Sequence, residues 1–514
     1  MLPLVRFATL LLVAISPLPS LAQPAPEAFG LPAGQHSVGF QLLEDQDAAR
    51  VVTGGVRGAA YSRPIRTYLW YPAATETARA QPMRFGRYAQ LADDDVWPEE
   101  IAGDLRQRLR FANGPLARSL SETSYAALLA RPMRAVENAA ALAGPFPLIV
   151  IGLGLYYESP VTFAATAEYL AGRGFVVATA PLVGTHIALV RLNVPDLETQ
   201  IRDLELVIAR VRQFSFVDPE RLGVVGFDQG GMAGLVLAMR NRDVDAFVSL
   251  DSGIQYPHPS GLPRSSPHYD PLALRVPWLH AARAADQPPT EGAPSLFDEA
   301  VHSERYWLRV QDLGHADYTN YGLVEGRGEA PGYWSAVTPA RTATHRVVAE
   351  YVLHFFAAYL AASDVSMALL DQARQAMPPD AGMTLEQRAA TPAPIDYDEV
   401  VRKIVSGQAD EAVAGLRALA AKSPEHPMLS EFNVGRLCVS LLYTWNLAEQ
   451  TLPLAEFAVE RYPASPAAKA MLGDTQTILR DYPAAIAAYE AALKLIPGGD
   501  PRINARLEWL RGQR

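Results

Sequence analysis

Three side chains, Asp228, Asp251 and His315, have the types and the placement along the sequence of a proton-transfer site. Asp228 lies in LGVVGFDQGGMAG, residues 222–234, where a hydrophobic strand passes through a glycine-flanked turn into a helix. Such a turn lifts one side chain above the edge of a sheet. Asp251 follows the next predicted strand, AFVSL, and His315 lies in the loop LGHADYTNYG. An imidazole oriented by one carboxylate can move a proton with its other nitrogen, so these residues predict acid–base or nucleophilic chemistry.

A pair of backbone N–H groups is predicted beside the same turn. The strand LIVIG ends in IGLG, where a tight turn lets Leu153 offer its N–H. Gln229, the residue after the tip of the turn, offers the second N–H group. Two such donors stabilise an oxygen that becomes negatively charged during a reaction.

Strands and helices alternate regularly from Pro147 onward, and this alternation is what must position the three side chains. Ser159 followed by Pro160 predicts a helix start, and Gly172 predicts its end. The next helix carries one apolar face, formed by Leu197, Ile201, Leu204, Ile208 and Val211. Short apolar strands that alternate with helices predict a mostly parallel sheet with helices on both faces.

These segments resemble the platelet-activating-factor acetylhydrolase and dienelactone hydrolase branch of the α/β-hydrolase fold. The resemblance covers about residues 36 to 363 and is carried by PFPLIVIGLG, EYLAGRGFVVATAP, RLGVVGFDQGG, VSLDSG and LGHADYTN. It implies Asp251 as the catalytic acid, His315 as the base, an oxyanion turn, and short or oxidised acyl esters or lactones as substrates. The chain departs from the pattern twice, with Asp228 in place of the nucleophilic Ser and Ile151 in place of the His of HGLG.

The carboxylate at the turn leaves several hypotheses open. In the dehalogenase and epoxide-hydrolase group of this fold, an Asp attacks an sp³ carbon and histidine-activated water hydrolyses the resulting ester. Attack on an acyl carbonyl would instead give a reactive anhydride. Tyr156 and Tyr157 could donate a proton to an opening epoxide. Alternatively, Asp228 or His315 activates water directly. The last alternative is an inactive hydrolase-fold protein that binds a ligand or acts as a scaffold through its C-terminal domain.

The first 22 residues are typical of a cleaved secretory signal. Arg6 precedes an apolar run from Phe7 to Ile15, and small residues precede Gln23. The run is too short to cross a bilayer, so we expect an exported protein, periplasmic or secreted, with no membrane span after cleavage. Cys438 is the single cysteine of the sequence, which excludes an intrachain disulfide.

The remaining chain is predicted to form two domains. Residues 23–365 form the hydrolase domain, in which about 73–144 form a helical insert or lid that contains WPEEIAGDLRQRLRF. The proline-rich residues 366–396 are predicted to be a linker with at most one short helix. Residues 397–514 carry helical patterns throughout.

The C-terminal residues resemble tetratricopeptide repeats, whose helical hairpins form a concave surface that binds peptides. The best copy is AMLGDTQTILRDYPAAIAAYEAALKLIPG, which matches the repeat pattern at Leu472, Gly473, Ala485, Tyr489, Ala492 and Pro497. Weaker copies are ADEAVAGLRALAAKSP and LAEFAVERYP. The resemblance implies a protein or peptide partner for residues 397–514, and a generic helical bundle is the alternative.

Composition excludes several other classes of function. The net charge of −10 and the absence of a long Lys/Arg run argue against nucleic acid. The sequence has no H-E-x-x-H pattern and only one cysteine, so we predict no metal site. GLGLYY follows a strand without completing G-x-G-x-x-G, so we predict no nucleotide and no other cofactor. The expected partner of the first domain is a small-molecule substrate or ligand.

Overall fold

The computed structural model describes residues 29–52, 60–74, 81–95, 114–155, 158–186, 189–255, 261–284, 295–324, 327, 336–376 and 382–513. The chain divides into two compact units, Met1–Thr391 and Pro392–Arg514. The predicted signal segment, the segment WPEEIAGDLRQRLRF and the pair Tyr156 and Tyr157 lie outside the described residues.

A single large sheet forms the centre of the first unit. In the described part its ten strands are β1 (Ser37–Val52), β2 (Tyr61–Ala73), β3 (Ala135–Glu137), β4 (Phe146–Gly152), β5 (Val176–Thr179), β6 (Val217–Phe227), β7 (Ala246–Leu250), β8 (Trp278–Arg283), β9 (Arg305–Val310) and β10 (Met383–Arg388). Their order across the sheet is β10-β9-β8-β7-β6-β4-β5-β2-β1-β3. The adjacent strands β5, β4, β6, β7, β8 and β9 are parallel, whereas β2 pairs antiparallel with both β1 and β5. This order and these directions define the α/β-hydrolase fold.

Helices connect the strands and cover the sheet. They are α1 (Phe85–Asp95), α2 (Pro115–Arg118), α3 (Glu122–Ala130), α4 (Ala164–Ala171), α5 (Val194–Val211), α6 (Gln229–Arg240), α7 (Gly261–Arg264), α8 (Leu296–Glu299), α9 (Pro339–Leu360) and α10 (Asp364–Ala376). The described part of this unit also has 3-10 turns at Pro160–Phe163, Gly253–Gln255, His315–Tyr318 and Asn320–Leu323.

Burial along β4 confirms that both faces of the sheet are covered. Ile149 and Ile151 belong to one buried cluster, and the alternating Leu148 and Val150 belong to another. Successive side chains of a strand point to opposite faces, so two cores lie on the two sides of the sheet. The apolar face predicted for α5 is buried at every position.

The segment before α4 begins as its sequence predicts. The Ser159 hydroxyl accepts a hydrogen bond from the N–H of Val161, and Pro160 opens the 3-10 turn that continues into α4. The helix ends at Gly172, whose N–H donates to the carbonyl of Glu168. Side-chain capping at the start satisfies an N–H that has no partner within the helix.

Two stretches differ from the sequence prediction. The described part of 73–144 contains α1, α2 and α3 and also β3, which pairs parallel with β1. The predicted linker, 366–396, contains most of α10 and all of β10, which pairs antiparallel with β9. Only two side chains of β10, Met383 and Leu385, are buried, and two apolar residues are too short a pattern to predict a strand.

The second unit is helical throughout its described residues. Its helices are α11 (Tyr397–Val405), α12 (Ala409–Lys422), α13 (Glu431–Val439), α14 (Ala448–Arg461), α15 (Pro466–Ile478), α16 (Tyr482–Leu493) and α17 (Pro501–Arg511), with a 3-10 turn at Pro427–Leu429 and a π turn at Ser440–Thr444. Tyr489 of α16 lies against Gly473 of α15, where a β-carbon would approach the ring to 2.9 Å. Ala485, Tyr489 and Ala492 are buried. The tetratricopeptide assignment itself stays a prediction.

Two further properties concern membrane-spanning helices and the single cysteine. Within the described ranges, no helix has both the length and the apolar character needed to cross a membrane. Cys438 is buried in the core of the second unit, and this burial raises the pKa of its thiol to about 12.

Candidate active site

Asp228 lies at the tip of a sharp turn between β6 and α6. Its backbone has φ 52° and ψ −117°, a conformation that costs a non-glycine residue about 1–3 kcal/mol. Hydrogen bonds on both sides hold this conformation: the N–H of Asp228 donates to Leu250, and its carbonyl accepts from Gly231 N–H and from the Ser252 hydroxyl. The turn is as tight as the sequence predicts, because a β-carbon on Gly226 would lie 2.2 Å from the Gly230 carbonyl oxygen.

The two oxygens of the Asp228 carboxylate have different surroundings. Oδ2 accepts a hydrogen bond of 2.8 Å from the N–H of Leu155. Oδ1 lies 3.9 Å from Nε2 of His315. Burial raises the pKa of Asp228, and His315 together with the backbone N–H groups of Gln229 and Leu155 opposes this rise. The side chain keeps 22% of its surface exposed, so one oxygen is anchored while the carboxylate stays within reach of a ligand.

Asp251 orients the histidine from the opposite side of the ring. Nδ1 of His315 lies 2.6 Å from Oδ2 of Asp251, whose side chain is fully buried. The imidazole stacks on the ring of Phe227 at 4.7 Å between centroids. Burial by itself would raise the pKa of Asp251, but the hydrogen bond and charge of His315 and the charge of Arg283 lower it below its ordinary value. Asp251 therefore stays ionised and fixes the ring so that Nε2 faces Asp228.

The loop of His315 has its own anchor. Asp317, two residues further on, accepts a hydrogen bond from the N–H of Gly314 and pairs with both Arg327 and Arg341. Its side chain is fully buried, so the two arginines compensate its charge. This ion cluster ties the histidine loop to α9, which carries Arg341.

Sequence reasoning missed Arg283, the last residue of β8. Its Nε lies 2.8 Å from Oδ2 of Asp251, and its backbone N–H donates to Oδ1 at 3.1 Å. The available signal was positional, because β8 lies beside β7 and the ends of parallel neighbours meet at one edge of the sheet. An arginine at the end of the strand that neighbours Asp251 can reach that carboxylate.

The structure brings Asp228, Asp251 and His315 together as their order predicts, and it places the backbone donors in part. The N–H of Leu155, two residues beyond Leu153, donates to the carboxylate of Asp228, and the N–H of Gln229 helps to lower the pKa of that carboxyl group. The carbonyl of Leu153 accepts a hydrogen bond from the buried Gln200 side chain. The role of the Leu153 N–H toward a reacting oxygen stays a prediction.

Other candidate residues belong to the core. Ile151, at the position of the HGLG histidine, is fully buried in β4. His280 in β8 is buried against Ser249, with 2.7 Å between its Nδ1 and the hydroxyl, and burial lowers its pKa to about 4. Across the described part of the chain, no group of three or more His, Cys, Asp or Glu side chains has the arrangement of a metal site.

Similarity to known proteins is found among solved structures. No family model and no curated protein matches the chain. Among solved structures, a ferulic acid esterase from Streptomyces cinnamoneus is similar at 21% sequence identity with a TM-score of 0.49. The match covers 70% of this chain and 99% of that chain. The assignment to the α/β-hydrolase fold rests on the strand order and directions of the sheet itself.

Proposed function

We propose that the first unit is a hydrolase in which Asp228 is the nucleophile, Asp251 and His315 form the acid–base pair, and backbone N–H groups stabilise the oxyanion. The different surroundings of the two Asp228 carboxylate oxygens support this proposal. One oxygen is held by the N–H of Leu155, and the other faces Nε2 of a histidine that a buried carboxylate orients. A carboxylate that only capped a helix would need no oriented histidine beside it.

Each group has a defined part in a two-step reaction. In the first step Oδ1 of Asp228 forms a bond to a saturated carbon, and the bond from that carbon to its leaving group breaks with its electron pair. In the second step Nε2 of His315 takes a proton from water, and the resulting hydroxide adds to the carboxyl carbon of the ester. The N–H of Leu155, which donates to Oδ2, stabilises the charge that develops on this oxygen, and the N–H of Gln229 at the start of α6 supports it. Collapse breaks the bond between the carboxyl carbon and Oδ1, and the released alkoxide takes the proton from His315 and leaves as an alcohol. The carboxyl group then loses the hydrogen of the added hydroxide to solvent, which restores the carboxylate.

This chemistry defines the class of substrate. Epoxides and alkyl halides offer a saturated carbon with a leaving group, which suits attack by a carboxylate. A small ester or lactone fits when attack takes place at its alkyl carbon, because attack at its carbonyl would give an anhydride. The resemblance to the platelet-activating-factor acetylhydrolase and dienelactone hydrolase branch supports a small ester, lactone or related compound as the substrate.

Trapping the covalent ester tests the proposal. His315→Gln removes the base of the second step and leaves the nucleophile, so the ester should accumulate. We expect intact mass analysis after exposure to epoxide, halide, lactone and ester panels to show a substrate-sized adduct that maps to Asp228. The double variant His315→Gln with Asp228→Asn is the matched control and should show no adduct.

Labelled water separates covalent attack from direct activation of water. In a single turnover of the wild-type protein in ¹⁸O-water, hydroxide adds to the ester, so the label should enter the Asp228 carboxylate. Label in the product alone would mean that Asp228 or His315 activates water directly. If neither adduct nor wild-type turnover occurs on any panel, the first unit is an inactive hydrolase-fold protein that binds a ligand or serves as a scaffold.

We further propose that the protein is exported and that residues 397–514 bind a protein or peptide segment. Amino-terminal sequencing of the secreted form should begin at Gln23, and a mature chain that retains Met1 would contradict export by cleavage. The supporting observation for a partner is the resemblance to tetratricopeptide repeats, whose stacks present a concave surface. A pull-down with these residues that recovers nothing above background would contradict the binding proposal.

A further inference from the structure

His315 lies between two carboxylates, whose negative charges work against its role as a base. Asp251 contacts Nδ1 at 2.6 Å, and Asp228 lies 3.9 Å from Nε2. A hydrolase with serine at the turn has only the first of these charges beside its histidine. Two negative charges on opposite sides of one imidazole favour its protonated form, which cannot accept a proton from water.

Arg283 supplies a positive charge at this cluster. Its Nε binds Oδ2 of Asp251, the same oxygen that accepts the hydrogen bond from His315. Its backbone N–H binds the other oxygen of that carboxylate, so side chain and backbone of one residue hold Asp251 from both oxygens. The guanidinium is always charged at working pH, so this compensation does not depend on pH.

We propose that Arg283 is a positioning residue that offsets the second carboxylate and orients Asp251, so that His315 can take a proton from water. This inference rests on the proposed function for its catalytic meaning. The turn carries a carboxylate in place of a hydroxyl, and the arginine at the end of β8 compensates for this change. The arginine balances one of the two negative charges and orients the carboxylate that holds the imidazole.

The other charged groups around the ring do not replace this contribution. Asp317, in the histidine's own turn, is paired with Arg327 and Arg341. His280, on the strand that carries Arg283, is fully buried, and burial keeps its pKa low enough for it to be neutral. Phe227, which stacks on the imidazole, has no ionisable group. Among the contacts described for His315, the charged partners are Asp228 and Asp251, and Arg283 pairs with Asp251.

NMR titration of the His315 ring in the full-length protein tests the inference without requiring turnover. The His315→Gln variant identifies the resonance. We expect Arg283→Met to raise the pKa of His315 by about 0.5–1 unit, which is the effect of removing one screened positive charge from a partly exposed site. Arg283→Lys keeps the charge and should recover at least half of that shift. Arg221→Met, which removes an exposed arginine paired with Asp218, is the control and should leave the pKa unchanged.

The Asp228→Asn variant and the double variant test whether the second carboxylate and Arg283 act on His315 in opposite directions. Asp228→Asn should lower the pKa of His315, and Asp228→Asn with Arg283→Met should bring it back toward the wild-type value. An unchanged or lowered pKa of His315 in Arg283→Met, or an unchanged or raised one in Asp228→Asn, would overturn the inference. If the enzyme proposal alone fails, these shifts persist without any adduct. If both hold, the acid limb of the hydrolysis step moves upward with the pKa of His315 in Arg283→Met.

Discussion

Replacing Gly154 by alanine tests whether the position of the Asp228 carboxylate matters for the reaction. A β-carbon at residue 154 would lie 2.6 Å from Cβ of Asp228, 3.0 Å from its Oδ2 and 3.0 Å from a ring carbon of Phe227. Carbon atoms in contact are normally about 3.5–4.0 Å apart, so the turn must yield by about 1 Å. The backbone of the turn at Asp228 is held by hydrogen bonds to Leu250, Gly231 and Ser252, so it cannot move without losing them.

We expect Gly154→Ala to lower the free energy of unfolding by about 1–3 kcal/mol, as overpacking of a close-packed site does. A displacement of about 1 Å at the reacting group should slow ester formation about 100-fold. Urea unfolding measures the first effect, and the rate of adduct growth in the His315→Gln background measures the second.

Gly261→Ala is the matched control, because its β-carbon would have no atom of the described residues within 4 Å. It should change stability by no more than about 0.5 kcal/mol and leave adduct growth unchanged. A Gly154→Ala variant with wild-type stability and an adduct rate within about twofold of the parent would refute the reasoning that contact between residues 154 and 228 sets the reactive geometry.

Three other substitutions have expected outcomes. Burial raises the pKa of Asp228, so ionising it costs more in the folded than in the unfolded state; Asp228→Asn should therefore raise Tm at neutral pH, and thermal unfolding should show the gain vanish below the ordinary value of 3.8. Asp251→Asn should leave ester formation intact but slow its hydrolysis about 10³–10⁴-fold, which single-turnover mass analysis would register as adduct accumulating in a chain that keeps His315. Asp228→Ser should gain weak activity on acyl esters if the chain descends from a serine esterase, and a chromogenic ester assay that gives only background would contradict that origin.

The residues of the site were predictable where strand order alone brings them together. Asp228, Asp251 and His315 each follow a strand, and the ends of neighbouring parallel strands meet at one edge. The donor at Leu155 was not predictable in this way, because the path of the backbone after β4 decides which N–H faces the carboxylate. The role of Arg283 was not predictable for another reason, because it depends on the contact with Asp251 at the end of the neighbouring strand.

The fold was predictable in its centre and less so at its edges. The parallel strands are short apolar runs between helices, and their pattern is strong. At the edges, β1 buries only five of its 16 residues and carries many polar side chains, and β10 buries only Met383 and Leu385. Such strands are specified by pairing with a neighbour distant in sequence, which a local pattern does not contain.

The pairing of β10 with β9 decides where the chain can be cut. A recombinant fragment that ends at residue 365 would lose β10 and leave the backbone N–H and C=O groups of β9 open along that edge. Open edges of this kind recruit other chains, so the shorter fragment should precipitate during expression. A fragment that ends at Thr391 keeps β10 and also keeps the hydrogen bonds from Thr391 to the Val301 carbonyl. The residues after α10 thus protect an edge of the sheet, and a fragment of the first unit that stays in solution has to include them.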